Sequence, residues 1–284
     1  ILKKRGHDPI LCEATDTLGG QFLTAGEAPR KKEMKAAAIS MAKKAERLGV
    51  DIRMNTKVTP EMIEEIKPHT VMNAIGAESI IPPIPGVDKA FVKDSHDVLD
   101  GKAEATGNVV VIGGGMVGME TAEYLAEKGA KVSVLEMLPD ICSDMGTTRK
   151  ICMGEEIQKS GIIPVTSIKV TEIGDNVVIG EKDGEKVEFP CDTAVLAIGA
   201  KKRDGSALAE TCYKNGIGYF EIGDAAMARR AINATREAMD AALTFDREDV
   251  HRDVSKPKKL VFITGASGMM GGQTLKQLLA RPNR

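Results

Sequence analysis

Residues 109–122, VVVIGGGMVGMETA, decide the fold. Four apolar residues, three of them valine, read as a buried parallel strand, and the small residues after them turn straight into a helical pattern. Gly113, Gly115 and Gly118 form GxGxxG across that turn. The first glycine allows the tight turn, the second lets a pyrophosphate approach the backbone, and the third lets helix and strand pack closely. Gly114, Met116 and Val117 fill the positions between, where the free N–H groups of a helix N-terminus face an anion. The next strand, KVSVLEM, ends on Glu136, 23 residues after Gly113, where an acid accepts hydrogen bonds from an adenosine ribose. A carboxylate there repels a 2′-phosphate, and Met137, Leu138 and Pro139 supply no arginine to hold one. NADH is therefore favoured over NADPH, unless Arg149 or Lys150 folds back.

On the C-terminal side of this unit, TRKICMGEEIQKSG reads as a helix. The stretch IIPVTSIKVTEIGDNVVIGEKDGEKVEFP reads as strands, with turn signals at Gly174–Asp175 and Asp183–Gly184. CDTAVLAIGA closes the unit and echoes HTVMNAIGA at residues 69–77. Each is an apolar strand running into Ile-Gly-Ala, which puts Gly199 in one and Ala74 and Gly76 in the other at a small-residue turn open to a ligand. On the N-terminal side, ILKKRGHD reads as the end of a helix stopped by Gly6, and PILCEA as a short strand. A helix that exists to cross between two parallel strands implies a strand–glycine loop–helix unit begun upstream of Ile1. A helix is expected from about Lys32 to Leu48, closed by Gly49, and another in TPEMIEEIKP with Thr59 as N-cap and Pro60 at its first position. The proline-rich IIPPIPGVDKAF reads as an extended connection between domains.

The 284 residues suffice for two domains, and 42% hydrophobic with 28% charged residues describes an ordinary globular protein. A net charge of −2 argues against nucleic acid as a partner, as does the lack of Trp beside only three Tyr and six Phe. No apolar run reaches the ~20 residues of a membrane span, and the start does not read as a signal peptide, so a cytoplasmic location is expected. Cysteines 12, 142, 152, 191 and 212 form no CxxC pair, and histidines 7, 69, 96 and 251 are too dispersed for a metal site.

Two further stretches carry chemistry. FEIGDAAMARRAINA, residues 220–234, puts Gly223 and Asp224 at a strand end that leads into a helix of small residues, a turn offering a carboxylate and backbone amides to a ligand. In CEATDTLGGQF, Glu13 ends a strand as Glu136 does, Gly19 and Gly20 let the chain lie close to a cofactor, and Gln21 supplies a hydrogen-bonding side chain. The order of acid, LGGQ, AIGA, an inserted GGGxVGxE unit, a second AIGA and EIGDA resembles the two-dinucleotide flavoprotein reductases. LGGQF and the spacing are most similar to the C-terminal half of the NADH:flavin oxidoreductase/2,4-dienoyl-CoA reductase group, which includes enoate reductases, trimethylamine dehydrogenase and bile-acid-inducible oxidoreductases. The resemblance covers about residues 1 to 250.

It implies an α/β fold of two Rossmann-like domains, the NAD domain inserted in the FAD domain. FAD would occupy residues 1–101 and 203–250, and NADH residues 102–202. Glu13 would bind the FAD ribose, Gln21 and Asp224 would lie along its phosphate and ribityl portion, and Val58 would pass its adenine. Longer members carry an upstream domain with FMN and a 4Fe–4S cluster, absent from this sequence. The resemblance also implies hydride transfer from NADH to FAD, and onward transfer to a small-molecule acceptor or to that upstream domain. Such chemistry requires orientation more than an acid, base or nucleophile, so no catalytic residue is named. Glu120 is either a residue placing the nicotinamide or a solvated helix glutamate. Cys12 has no dithiol partner after LGGQ and reads as a buried thiol. A stand-alone diaphorase and a non-catalytic nucleotide-binding fragment with an empty flavin site remain open, as does a homo-oligomer.

Residues 251–284 read as a charged linker followed by LVFITGASGMMGGQTLKQLLARPNR. TGASGMMGG is a TGxxGxxG loop resembling the start of a short-chain dehydrogenase or epimerase, and the main expectation is a fusion cut short. The other is that this strand and loop dock into the first domain in the manner of a circular permutation.

Overall fold

The computed structural model of the chain describes residues 1–143 and 145–246, and the backbone of residues 260–264. After a short 3₁₀ turn at Leu2–Arg5, ended by Gly6 at φ 81°, the chain forms β1 (Asp8–Cys12), α1 (Gln21–Ala25), α2 (Lys32–Arg47), β2 (Asp51–Arg53), α3 (Pro60–Ile66), β3 (Thr70–Asn73) and β4 (Ala77–Ser79). There follow β5 (Val92–Asp94), α4 (Ser95–Leu99), β6 (Asn108–Ile112), α5 (Met116–Glu127), β7 (Lys131–Leu135), α6 (Thr147–Ser160) and β8 (Ile163–Val165). Strands β9 (Lys169–Ile173), β10 (Val177–Lys182) and β11 (Glu185–Pro190) form an antiparallel sheet. The chain continues through β12 (Thr193–Leu196), β13 (Ala200–Lys202), α7 (Ser206–Lys214), β14 (Gly218–Glu221), α8 (Ala231–Thr244) and β15 (Leu260–Thr264). Among the described residues no helix is long and apolar enough to cross a membrane.

Two compact units result. One comprises Ile1–Leu23, Glu33–Glu78 and the described residues from Lys201 on; the other comprises Thr24–Lys32 and Ser79–Ala200. The first is built on a five-stranded parallel sheet of order β2-β1-β15-β3-β14. Ile10, Cys12, Ile63, Val71, Leu208 and Cys212 form one of its cores, and Met72, Ala74, Ile222 and the alanines of α8 form the other. Thr59 caps α3 as expected, its hydroxyl accepting from the Met62 N–H at 3.4 Å.

The second unit repeats the plan. Its sheet has the order β8-β7-β6-β12-β5, again all parallel. The alternation along β6 explains why this strand reads as continuously apolar: Val109 and Val111 face Met119, Ala122 and Leu125 of α5, while Val110 and Ile112 face Ile168, Ile173 and Val178. Strand for strand, β2-β1-β15-β3-β14 corresponds to β8-β7-β6-β12-β5.

Three features differ from the sequence reading. The proline-rich stretch is part of the second unit: Ile84, Val87 and Phe91 pack on its core, and the Ile173 N–H donates to the Pro85 carbonyl at 2.8 Å. The division accordingly falls at 78/79 instead of 101/102, because β5 and α4 belong to the second sheet and its core. LVFIT, read as the opening of a separate unit, lies inside the first sheet as β15; the TGASGMMGG loop beyond Thr264 and the charged linker before Leu260 lie outside the described residues.

Candidate functional site

Open parallel sheets bind ligands beyond the carboxyl ends of their strands, where the strand order reverses direction. In the second unit those ends form one row, Val165–Leu135–Ile112–Leu196–Asp94. Beyond it lie the GGG turn, Glu136 and Gly199. Gly113 has φ 108°, and a Cβ on it would meet the Ala197 carbonyl oxygen at 2.4 Å. A Cβ on Gly114 would meet the Glu136 side chain at 2.9 Å, and one on Gly118 the Gly113 carbonyl oxygen at 1.9 Å. Only glycines build this turn. Gly115 is the N-cap of α5, with Met116 and Val117 in its first turn and Val117 exposed. The Glu136 carboxylate closes the cradle: Oε2 accepts from the Gly114 N–H at 2.6 Å and Oε1 from the Leu138 N–H at 2.8 Å. A carboxylate has about four lone-pair positions, so acceptor capacity remains for ribose hydroxyls. The cradle fits a dinucleotide pyrophosphate and its ribose.

The basic residues able to fold back are engaged elsewhere. Arg149 lies 3.6 Å from Glu120, and Lys150 pairs with Asp140. Glu120 itself is corrected by the structure. It is buried and paired with Lys31, so the solvated-glutamate reading fails. Next to it, Arg30 binds the buried Glu123 and lies 2.7 Å from Glu156, fastening segment 24–32 to α5 and α6. Burial raises the Glu123 pKa against the opposing charge and hydrogen bond of Arg30. No periodicity in the sequence announces these pairs. At the edge of the row, Asp94 caps α4 by accepting from the His96 N–H at 2.8 Å.

In the first unit the corresponding row is Arg53–Cys12–Thr264–Asn73–Glu221. Glu13 follows Cys12 as Glu136 follows Leu135, and it is only 1% exposed. Its Oε1 accepts from the Thr15 N–H and hydroxyl, both at 2.8 Å. Its Oε2 is buried and has no hydrogen-bond partner among the described residues. An orphaned carboxylate oxygen is costly, and a ribose hydroxyl is a donor that satisfies it, so the site fits an adenine dinucleotide such as FAD. Gly19 (φ 129°) and Gly20 (φ 43°) form the turn before α1. The Gln21 side chain is exposed and donates to the Ala77 carbonyl at 3.3 Å. Val58 is half-buried against the core that holds Ile10 and Cys12.

Ala74 and Gly76 follow β3, and Gly199 follows β12, each glycine three residues past its strand and with positive φ. The repeated Ile-Gly-Ala is thus the same turn in both units. Gly223 donates its N–H to Glu237 Oε2 at 2.8 Å, a support for the Gly-Asp turn that the sequence reading missed, because Glu237 lies 14 residues away on α8. Asp224 accepts from the Arg229 N–H at 3.1 Å; burial raises its pKa, opposed by that bond and the Arg229 charge. Cys12 is buried, and burial pushes its thiol up to about 11, which suits a structural thiol. Among the described residues no cluster of His, Cys, Asp and Glu is arranged to hold a metal ion.

The sequence profile of the pyridine nucleotide-disulphide oxidoreductases matches residues 60–222. A bilirubin reductase of Mediterraneibacter gnavus is 41% identical over 201 residues, covering 71% of this chain and 31% of its own length. An NADH oxidase of Thermoanaerobacter brockii is 38% identical over 244 residues, covering 84% of this chain and 37% of its own. The structure of a 2-naphthoyl-CoA reductase in complex with 2-naphthoyl-CoA superposes with a TM-score of 0.78 at 29% identity, over 83% of this chain and 36% of that one. The chain spans about a third of the length of these curated relatives. With two sheets of one plan, each carrying a carboxylate and glycine turns beyond its strand ends, the chain belongs to the pyridine nucleotide-disulphide oxidoreductase family of FAD-dependent NAD(P)H oxidoreductases.

Proposed function

We propose that this chain is the electron-input module of a larger reductase, with FAD on the first unit and NADH on the second, delivering electrons to an enoate-type reductase centre. The observation that carries the proposal is the pair of matched carboxylates, Glu13 and Glu136, each one residue past the strand beside the central strand of its sheet. Two such carboxylates call for two adenosine riboses. When both cofactors are bound, they supply hydride transfer from nicotinamide to flavin.

The chain's own residues bind and orient. Gly113, Gly114 and Gly118 shape a turn that lets the nucleotide phosphates approach the N-terminus of α5, and Glu136 holds the ribose and disfavours a 2′-phosphate. Arg149 lies against Glu120 and Lys150 pairs with Asp140, which supports NADH over NADPH. Glu13, with its free oxygen, takes the flavin nucleotide's ribose, and the Gly223–Asp224 turn, fixed by Glu237, lies along its ribityl side. The kinship with a bilirubin reductase and a 2-naphthoyl-CoA reductase supports an enoate-type acceptor. In the longer protein that acceptor would be an upstream region holding FMN and a 4Fe–4S cluster.

Anaerobic titration with NADH of the chain pre-incubated with FAD tests the proposal. Bleaching of the visible flavin band at one equivalent of NADH is expected. Retained flavin that NADH leaves oxidised, or no retained flavin, would refute it.

A further inference from the structure

We infer that Arg30 and Lys31 are positioning residues of the NADH site, neutralising two buried glutamates of α5 so that this helix can receive a pyrophosphate. The inference rests on the assignment of NADH to the second unit.

The difficulty it resolves lies in α5 itself. A dinucleotide brings an anionic pyrophosphate to the start of this helix. Yet α5 (Met116–Glu127) carries Glu120, Glu123 and Glu127 and no basic residue. Glu120 and Glu123 are buried, at 5% and 2% exposure. Glu120 stands four residues past Met116, about 6 Å along the axis, and Glu123 stands about 10 Å along it. Those separations are close to the Debye length of ~8 Å at physiological salt, and buried charges are screened less than exposed ones. Left uncompensated, the two carboxylates would repel the phosphates that the glycine turn admits.

The compensation comes from segment 24–32. These nine residues belong to the second unit, although the chain on both sides of them, Ile1–Leu23 and Glu33–Glu78, belongs to the first. Ala28 is buried and its carbonyl accepts the Lys31 N–H at 3.3 Å, which seats the segment. Its two adjacent cations then meet one buried glutamate each. Lys31 pairs with Glu120, the one nearer the phosphates. Arg30 pairs with Glu123 and also lies 2.7 Å from Glu156 of α6 and 3.5 Å from Glu127. Arg149 of α6 adds a more distant charge, 3.6 Å from Glu120. Burial pushes the Glu123 carboxyl up, Glu156 and Glu127 push the same way, and Arg30 opposes all three. The charge balance of α5 is thus set by residues about 90 positions away in sequence. Because the two cations favour the phosphate-bound helix, an occupied NADH site favours the seated segment by the same factor.

The test uses the full chain, titrated by calorimetry with NAD⁺ and, as a control, with FAD. The double variant Arg30→Met/Lys31→Met should weaken NAD⁺ by at least about tenfold, with FAD within about twofold of wild type. Adding Glu120→Gln and Glu123→Gln removes the charges that the cations neutralise, and should restore NAD⁺ affinity to within about threefold of wild type. Trypsin gives the reciprocal reading, since it cuts after Arg30, Lys31 and the exposed Lys32; saturating NAD⁺ should slow these cuts in the wild-type chain. Failure of the quadruple variant to recover would show that the two cations hold the fold instead of balancing charge, and would overturn the inference. NAD⁺ affinity of the double variant within about twofold of wild type, or tryptic cuts that NAD⁺ leaves unchanged, would overturn it as well, with the NADH assignment intact. Absence of NAD⁺ binding by the wild-type chain would overturn that assignment and the inference with it.

Discussion

Gly118→Ala tests the turn on which the nucleotide assignment depends. The added Cβ would lie 1.9 Å from the Gly113 carbonyl oxygen, 3.0 Å from its carbon and 3.3 Å from the Ala197 Cβ. Carbon–oxygen contacts settle near 3.3 Å, so the backbone must part by about 1.4 Å. Neither side yields easily: Gly113 is held by its own N–H bond to the Leu135 carbonyl at 2.8 Å, and α5 is held by the buried Met119, Ala122 and Leu125. Such overpacking costs about 1–3 kcal/mol of stability, a drop of a few degrees in Tm for a chain of this size. A displacement above 1 Å at the helix start also breaks at least one N–H bond to phosphate, worth about 1.5–3 kcal/mol when charge-assisted. NADH affinity should therefore fall about 10- to 150-fold. Fluorescence titration of NADH, with FAD titrated on the same sample as a control, measures both effects. An NADH Kd within about twofold of wild type, with Tm unchanged, would refute the steric reasoning.

Further outcomes follow from other residues. Glu136→Ala removes the acceptor of the Gly114 and Leu138 N–H groups and the charge that repels a 2′-phosphate; NADH should weaken by about tenfold or more, and the NADPH:NADH affinity ratio should rise, as parallel titrations would show. Asp94 has its pKa pushed down to about 2. Burial, the largest single influence, opposes this, but the bonds with His96 and Ser79 together outweigh it. A depressed folded-state pKa contributes stability that is fully present above about pH 4 and lost as pH falls towards 2. Asp94→Asn should therefore cost about 1–2 kcal/mol at neutral pH, and thermal melts should show the gap closing between pH 4 and 2.

Much of this was legible in the sequence, for identifiable reasons. The Gly113–Gly118 turn and Glu136 are local: strand, loop, helix and acid follow one another within 28 residues of chain, so spacing alone carries them. The Ile-Gly-Ala echo was legible because both units need the same positive-φ glycine at the same place, Gly76 and Gly199. The boundary at 78/79 was not, because prolines mark extended backbone without saying which core Ile84, Val87 and Phe91 will join. The burial of Glu120 and Glu123 was hidden for the same reason. Their partners Lys31 and Arg30 lie about 90 residues away in sequence, and amphipathic spacing does not reveal a long-range ion pair. The role of LVFIT was underdetermined: a five-residue apolar strand fits the centre of any parallel sheet, and only its register with Asp8–Cys12 and Thr70–Asn73 assigns it.

The central claim is that each of the two like-ordered sheets carries its own dinucleotide. Calorimetric titration of one sample with FAD and then with NAD⁺, which leaves the flavin oxidised, tests it directly. One FAD and one NAD⁺ per chain, with NAD⁺ binding undiminished at saturating FAD, is the expected result. A single site for which the two compete would contradict it.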